Sequence, residues 1–168
     1  MVPSGGTMSS GHHADPIDAK VLRALAAEPR ATVLSLAEQT GLSRNTVQSR
    51  LTKLESSGAL RSVERRIDPA ALGYPMTAFI LTSVVQRELT AVGEALDAIA
   101  EVVEVHGLSG ATDLLVQVVA RDADDLYRIA GQVLDIDGVE RTMTSLVMRR
   151  LVDYRLDPLL QRFEGSDG

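Results

Sequence analysis

The chain has no cysteine and no tryptophan, and only three tyrosines and two phenylalanines among 168 residues. Without cysteine there is no thiol nucleophile, no disulfide and no Cys-ligated zinc or iron–sulfur centre, and a cytoplasmic location is expected. Long hydrophobic runs are also missing. Runs such as Val118 to Ala120 and Leu146 to Met148 are a handful of residues at most and fall far short of the roughly 20 residues that cross a bilayer, so no membrane partner is expected. Histidine is sparse: His12 and His13 lie near the start, and His106 stands alone on an expected strand. Neither a metal cluster nor a nucleophile–base pair can be assembled from these residues. Gly107-x-x-Gly110 has no Lys-Ser/Thr after it, which excludes a phosphate loop. The expectation is no metal, no cofactor and no catalytic residue.

What remains suits one medium domain or two small ones. Residues 1–14 contain no Lys or Arg and no apolar stretch; they are neither a secretory signal nor a transit peptide and read as a flexible leader, with Met8 a second possible start. The net charge of −6 hides an asymmetry. Residues 1–68 carry +2 and residues 69–168 carry −8, and the stretch from Leu42 to Arg66 alone carries +4. A solvated face is the ordinary reading of such a stretch, but its surroundings point elsewhere.

Asp15-Pro16 is a helix start, since Asp caps free amides and Pro lacks an N–H where none is needed. Ile17, Val21, Ala24 and Leu25 follow at helical spacing until Glu28-Pro29. Thr32 caps a second helix over Val33 to Thr40, Gly41 turns the chain, and Ser43 caps a third helix. There Val47, Leu51 and Leu54 form one apolar stripe, while Arg44, Asn45, Gln48, Ser49 and Thr52 face outward beside Lys53. Two capped helices around a glycine turn make a helix-turn-helix. An outer face of Arg, Asn and Gln suits the major groove, where Asn and Gln pair with adenine and Arg with guanine. Double-stranded DNA is therefore the expected partner, with Ser43, Arg44, Asn45, Thr46, Gln48, Ser49, Arg50 and Lys53 as contacts. Leu60 to Ile67 alternates in part and reads as a hairpin wing, with Arg61, Arg65 and Arg66 resting on phosphates.

Two prolines and a glycine between Asp68 and Pro75 mark a linker over residues 69–75. Beyond it come a strand from Met76 to Val85, a helix from Arg87 to Ala100, strands from Val102 to Leu108 and from Asp113 to Ala120, a helix capped by Asp122, and a last strand from Val139 to about Tyr154. The fold class is α+β: a winged helix-turn-helix domain over residues 15–68, then a ferredoxin-like βαββαβ domain over residues 76–158, with residues 159–168 a C-terminal tail. The strands are apolar on both faces, as where Phe79 and Leu81 oppose Ile80. Two helices cover one face of a four-stranded sheet, so a second subunit is expected over the other.

The capped helices with Leu36-Ala37 and Gly41-Leu42-Ser43, then Asp68-Pro69-x-x-Leu72-Gly73, then Gly110-x-x-Asp113 in the second β turn together resemble the Lrp/AsnC family of prokaryotic transcription regulators. The resemblance spans Ile17 to about Pro158. It implies paired DNA-binding domains, a dimer through the ferredoxin-like domain, assembly into higher oligomers that are commonly octamers, and an amino-acid effector held between dimers. The effector residues it implies are His106, Leu108, Gly110, Ala111, Thr112 and Asp113, joined by Thr144 and Ser145 from a neighbouring dimer. Family turns place an acidic and an aromatic residue where this chain has Ala111 and Thr112. Two other readings remain open at this point: an architectural DNA-binding protein without effector, and an enzyme resembling siroheme decarboxylases. The latter needs His and basic residues in a second domain that is acidic and has only one His.

Overall fold

Asp15 opens the first helix as expected. Its carboxylate accepts the Asp18 N–H at 2.8 Å, and the Asp18 carboxylate accepts the Asp15 N–H at 3.2 Å, a reciprocal capping box ahead of Pro16. The computed structural model describes residues 14–61 and 63–164. Helix α1 spans Pro16–Ala27, α2 Val33–Thr40 and α3 Arg44–Ser56. Thr32 and Ser43 cap α2 and α3 through the N–H groups of Ser35 and Thr46. Gly41 leaves α2 with φ +68°, a left-handed conformation that a side chain would strain. Val21, Leu36, Ala37 and Val47 form the buried centre of this trihelical unit, with Ala24, Leu25, Leu42 and Leu51 packed around it.

Among the described residues the expected hairpin is not formed. Val63–Arg66 is a single 3₁₀ turn, and among the described residues no strand lies between α3 and residue 76. A hairpin needs two alternating runs around a tight turn, commonly Asn-Gly or Asp-Gly. Here Gly58 precedes the segment, and Pro69 follows before a second run can form. The linker is itself ordered as a 3₁₀ turn over Pro69–Leu72, capped by Asp68 and closed by Gly73.

The second unit is a four-stranded antiparallel sheet in the order β2-β3-β1-β4, with β1 Met76–Val84, β2 Val102–Gly107, β3 Leu114–Ala120 and β4 Val139–Leu146. Helices α4 (Leu89–Asp97) and α5 (Ala123–Leu134) complete the βαββαβ order. The first of these is shorter than the expected Arg87 to Ala100, because a 3₁₀ turn over Gln86–Glu88 precedes it. The last strand also ends early. Val147 still donates to the Thr77 carbonyl at 2.9 Å, but β1 begins at Met76 behind Pro75, so no partner strand remains for residues further on.

Alternation along β1 decides the two faces. Ala78, Ile80, Thr82 and Val84 are buried toward the helices, and the three apolar ones, with Val92, Leu96, Val116, Val118, Ile129 and Val133, belong to the core. The register pairs Ile80 with Val116, Leu81 with Leu115 and Met143, and Phe79 with Ser145. Phe79, Leu81, Leu115, Val119 and Met143 therefore share the opposite face and take no part in that core. Leu146 pairs with Ala78 and lies on the helix side.

Part of the segment expected as a C-terminal tail is helical. Asp157–Glu164 form a sixth helix, α6, which packs along α1, and Arg23 Nε approaches Asp157 Oδ1 at 3.6 Å. The chain divides into two compact units, one comprising residues up to Arg65 together with those from Asp153 onward, the other Arg66–Val152. This division groups the residues from Asp153 onward with the helices of the first unit.

One ion-pair network spans α5 and its flanks. The Asp125 carboxylate accepts Arg121 Nε–H at 3.0 Å, the Arg121 backbone N–H at 3.1 Å and Arg128 N–H at 2.7 Å, and Arg128 also reaches Glu101. The Arg121 guanidinium first, then its backbone amide and Arg128, hold the Asp125 carboxyl far below the usual carboxylate range. A depressed folded value means that this contribution is present above the unfolded carboxylate value of about 3.9 and is lost progressively as pH falls below it. Asp125→Asn is expected to lower Tm at pH 7, with the gap to the parent closing in melts below about pH 4; a gap that persists at low pH contradicts the assignment.

Candidate functional site

At 100° per residue, burying Val47 and Leu54 turns Asn45, Ser49 and Thr52 to the centre of the outer face of α3, with Gln48 and Lys53 on its flanks. Arg44, Asn45, Gln48, Ser49 and Lys53 are all exposed. Ser43 and Thr46 are engaged in the cap: Thr46 N–H donates to Ser43 Oγ at 3.1 Å, and the two hydroxyls lie 2.8 Å apart. Arg61, Arg65 and Arg66 are exposed around the 3₁₀ turn rather than along a hairpin. Arg50 departs from the expected set. Its guanidinium turns toward α1, where it bonds Asp15 and lies 3.0 Å from Asp18 Oδ1. Asp18 is wholly buried. Burial raises the Asp15 carboxyl, but the Asp18 amide and the Arg50 guanidinium outweigh it and hold the group below its ordinary value.

The turn between β2 and β3 gathers Leu108, Gly110, Ala111, Thr112 and Asp113. Gly110 has φ +144°, a region closed to most side chains. Leu108 N–H closes the turn on the Asp113 carbonyl at 2.7 Å, and Asp113 N–H donates to the Thr82 carbonyl at 3.0 Å. The Asp113 side chain is already engaged: Oδ2 accepts the Val84 N–H at 2.9 Å and Oδ1 accepts Gln86 Nε2–H at 2.6 Å. Gln86 was not foreseen, since it is 27 residues away and meets Asp113 only through the sheet. His106 pairs with Leu115 across the strands, and its Nε2 lies 3.6 Å from Glu104 Oε2. Thr144 and Ser145 sit on β4, three strand spacings from β2, about 14 Å. They pair with Ile80 and Phe79 respectively and so point to opposite faces. One chain does not bring them to the turn.

Residues 15–61 match the winged helix-turn-helix DNA-binding family, and residues 77–157 match the Lrp/AsnC ligand binding domain. The HTH-type transcriptional regulator FL11 of Pyrococcus horikoshii is 33% identical over 135 residues, covering 80% of this chain and 89% of the relative. The chain belongs to the Lrp/AsnC family. It is a transcriptional regulator with a DNA-binding and a ligand-binding domain, and neither the architectural nor the decarboxylase reading has support among the relatives compared. Escherichia coli AsnC shares the Lrp/AsnC fold with this chain at a TM-score of 0.77 and 24% identity, covering 88% of this chain and all of that one. A Neisseria meningitidis transcriptional regulator solved as a complex with L-Met has a TM-score of 0.72 and 25% identity, covering 88% of this chain and 99% of that one. Among the described residues no helix is long and apolar enough to cross a membrane.

Proposed function

We propose that this regulator acts in the cytoplasm as a homodimer that presents two α3 helices to successive major grooves, and that an amino acid bound at the 108–113 turn modulates it. The observation that carries the reading is the outer face of α3, where exposed Asn45 and Gln48 stand on a helix fixed by caps at both ends of its turn. Such side chains both donate and accept, as base-edge readout requires. Arg44, Ser49, Lys53, Arg61, Arg65 and Arg66 supply backbone contacts. Dimerisation follows from the sheet face of Phe79, Leu81, Leu115 and Met143, which lies outside the core; an apolar face of this kind favours a self-complementary partner.

The L-Met complex of the Neisseria relative supports an amino-acid effector. In this chain the amides of Gly110, Ala111 and Thr112 suit its carboxylate, and Asp113 suits its ammonium group, with Leu108 and His106 alongside. Thr144 and Ser145 reach the turn only from a neighbouring chain, so the site is completed by assembly beyond the dimer, with an octamer as the expected form. An effector's ammonium group competes with Gln86 for Asp113 Oδ1, because the two donors seek one oxygen.

Thermal melts against each of the twenty amino acids test the effector, since a ligand that binds only the native state raises Tm. At least one amino acid is expected to stabilise the parent protein, and Asp113→Asn is expected to remove that stabilisation. No shift with any amino acid, or an equal shift in Asp113→Asn, contradicts the proposed site.

A further inference from the structure

Arg50 sits in the middle of α3, three residues after buried Val47 and four before buried Leu54, and its side chain is only 24% exposed and meets both acidic residues of the α1 capping box. Asp15 and Asp18 are the cap and third helical residue of α1, already locked to one another by reciprocal bonds to backbone N–H groups. The position that Arg50 grips is therefore rigid. Beside this bridge, among the described residues α3 is held by aliphatic packing: Val47 in a small centre with Val21, Leu36 and Ala37, and Leu54, which is wholly buried. Aliphatic packing is non-directional, so it leaves the rotation of α3 about its own axis less sharply defined than a forked, charge-assisted contact does. A rotation of a few degrees moves the tips of Asn45 and Gln48 relative to base edges, where hydrogen-bond geometry is strict.

We propose that Arg50 is a positioning residue for DNA readout: by bridging Asp15 and Asp18 it fixes the orientation in which α3 presents Asn45 and Gln48, and it does not itself touch DNA. Two carboxylates neutralise its charge, so Arg50 adds nothing to the attraction between this helix and phosphates. A lysine is a poor substitute because its compact ammonium group cannot span two carboxylates with the planar fork of a guanidinium.

The experiment uses the full chain, a duplex selected from a random pool for tight binding, and an unselected duplex as reference, each titrated over a range of salt. Arg50→Met is expected to lower the ratio of selected to unselected affinity by about tenfold or more, comparable to losing one well-placed base contact, while leaving the salt slope unchanged. Asp15→Asn, which keeps the side-chain oxygen that caps α1, is expected to lower the ratio in the same way. The double variant is expected to be no worse than either single one, and Arg50→Lys to recover only part of the loss. A direct phosphate contact has the opposite signature: Arg50→Met weakens both duplexes equally and reduces the salt slope by about 0.9, while Asp15→Asn frees the guanidinium and strengthens binding. That outcome overturns the proposal. So does a lower Tm with an unchanged ratio, which makes the bridge structural only. Should Arg50→Met fail to fold, Asp15→Asn decides alone, since it lowers the ratio if Arg50 positions α3, and strengthens binding to both duplexes with the ratio unchanged if Arg50 contacts phosphate.

Discussion

Leu115→Asp is expected to abolish the dimer, giving monomers or aggregates in sedimentation of the full chain. Leu115 lies on the central strand β3, paired with Leu81 on one side and His106 on the other, on the face outside the core. A carboxylate there is pressed against a second apolar sheet, and an unpaired charge buried in this way costs about 3–5 kcal/mol. Leu146→Asp is the matching control. Leu146 is partly exposed at the β4 edge and pairs with Ala78 on the helix side, so its substitution is expected to lower Tm and leave the dimer intact. A dimeric Leu115→Asp protein, or dissociation caused by Leu146→Asp alone, places the interface elsewhere.

The second large effect concerns readout. Asn45→Ala and Gln48→Ala are each expected to cost about 1–3 kcal/mol on a selected duplex and little on random DNA. Arg61 is exposed near the 3₁₀ turn and suited to phosphates. Arg61→Ala should therefore weaken both duplexes similarly and lower the salt slope by about 1. Binding titrations at several salt concentrations separate the two classes, and equal losses on both duplexes for all three variants contradict the division of roles.

The parts of this molecule that were legible in its sequence are those set by local chemistry. Asp15-Pro16, Thr32, Ser43 and Gly41 each act within a few residues, and the caps they predict are formed. The order of the second unit was legible because apolar residues change period between its strands and helices. The hairpin form of the 60–67 segment was not legible because Leu60, Val63 and Ile67 alternate only loosely, with no turn to fold the run back on itself. Helix α6 opens at Asp157-Pro158, the same form as Asp15-Pro16, but the signal is masked in the sequence by the long strand expected just before it. Long-range pairings left no local trace. Arg50 meets Asp15 across 35 residues, and Asp113 meets the Val84 amide across 29. Each gives the side chain a partner that only the fold supplies.

Footprinting of the full chain on natural and random duplexes tests the central claim most directly. A dimer that reads sequence through two α3 helices is expected to protect discrete sites made of paired half-sites, spaced about 10 bp apart or a multiple of that. Uniform protection that spreads with protein concentration and shows no preferred half-site would contradict it.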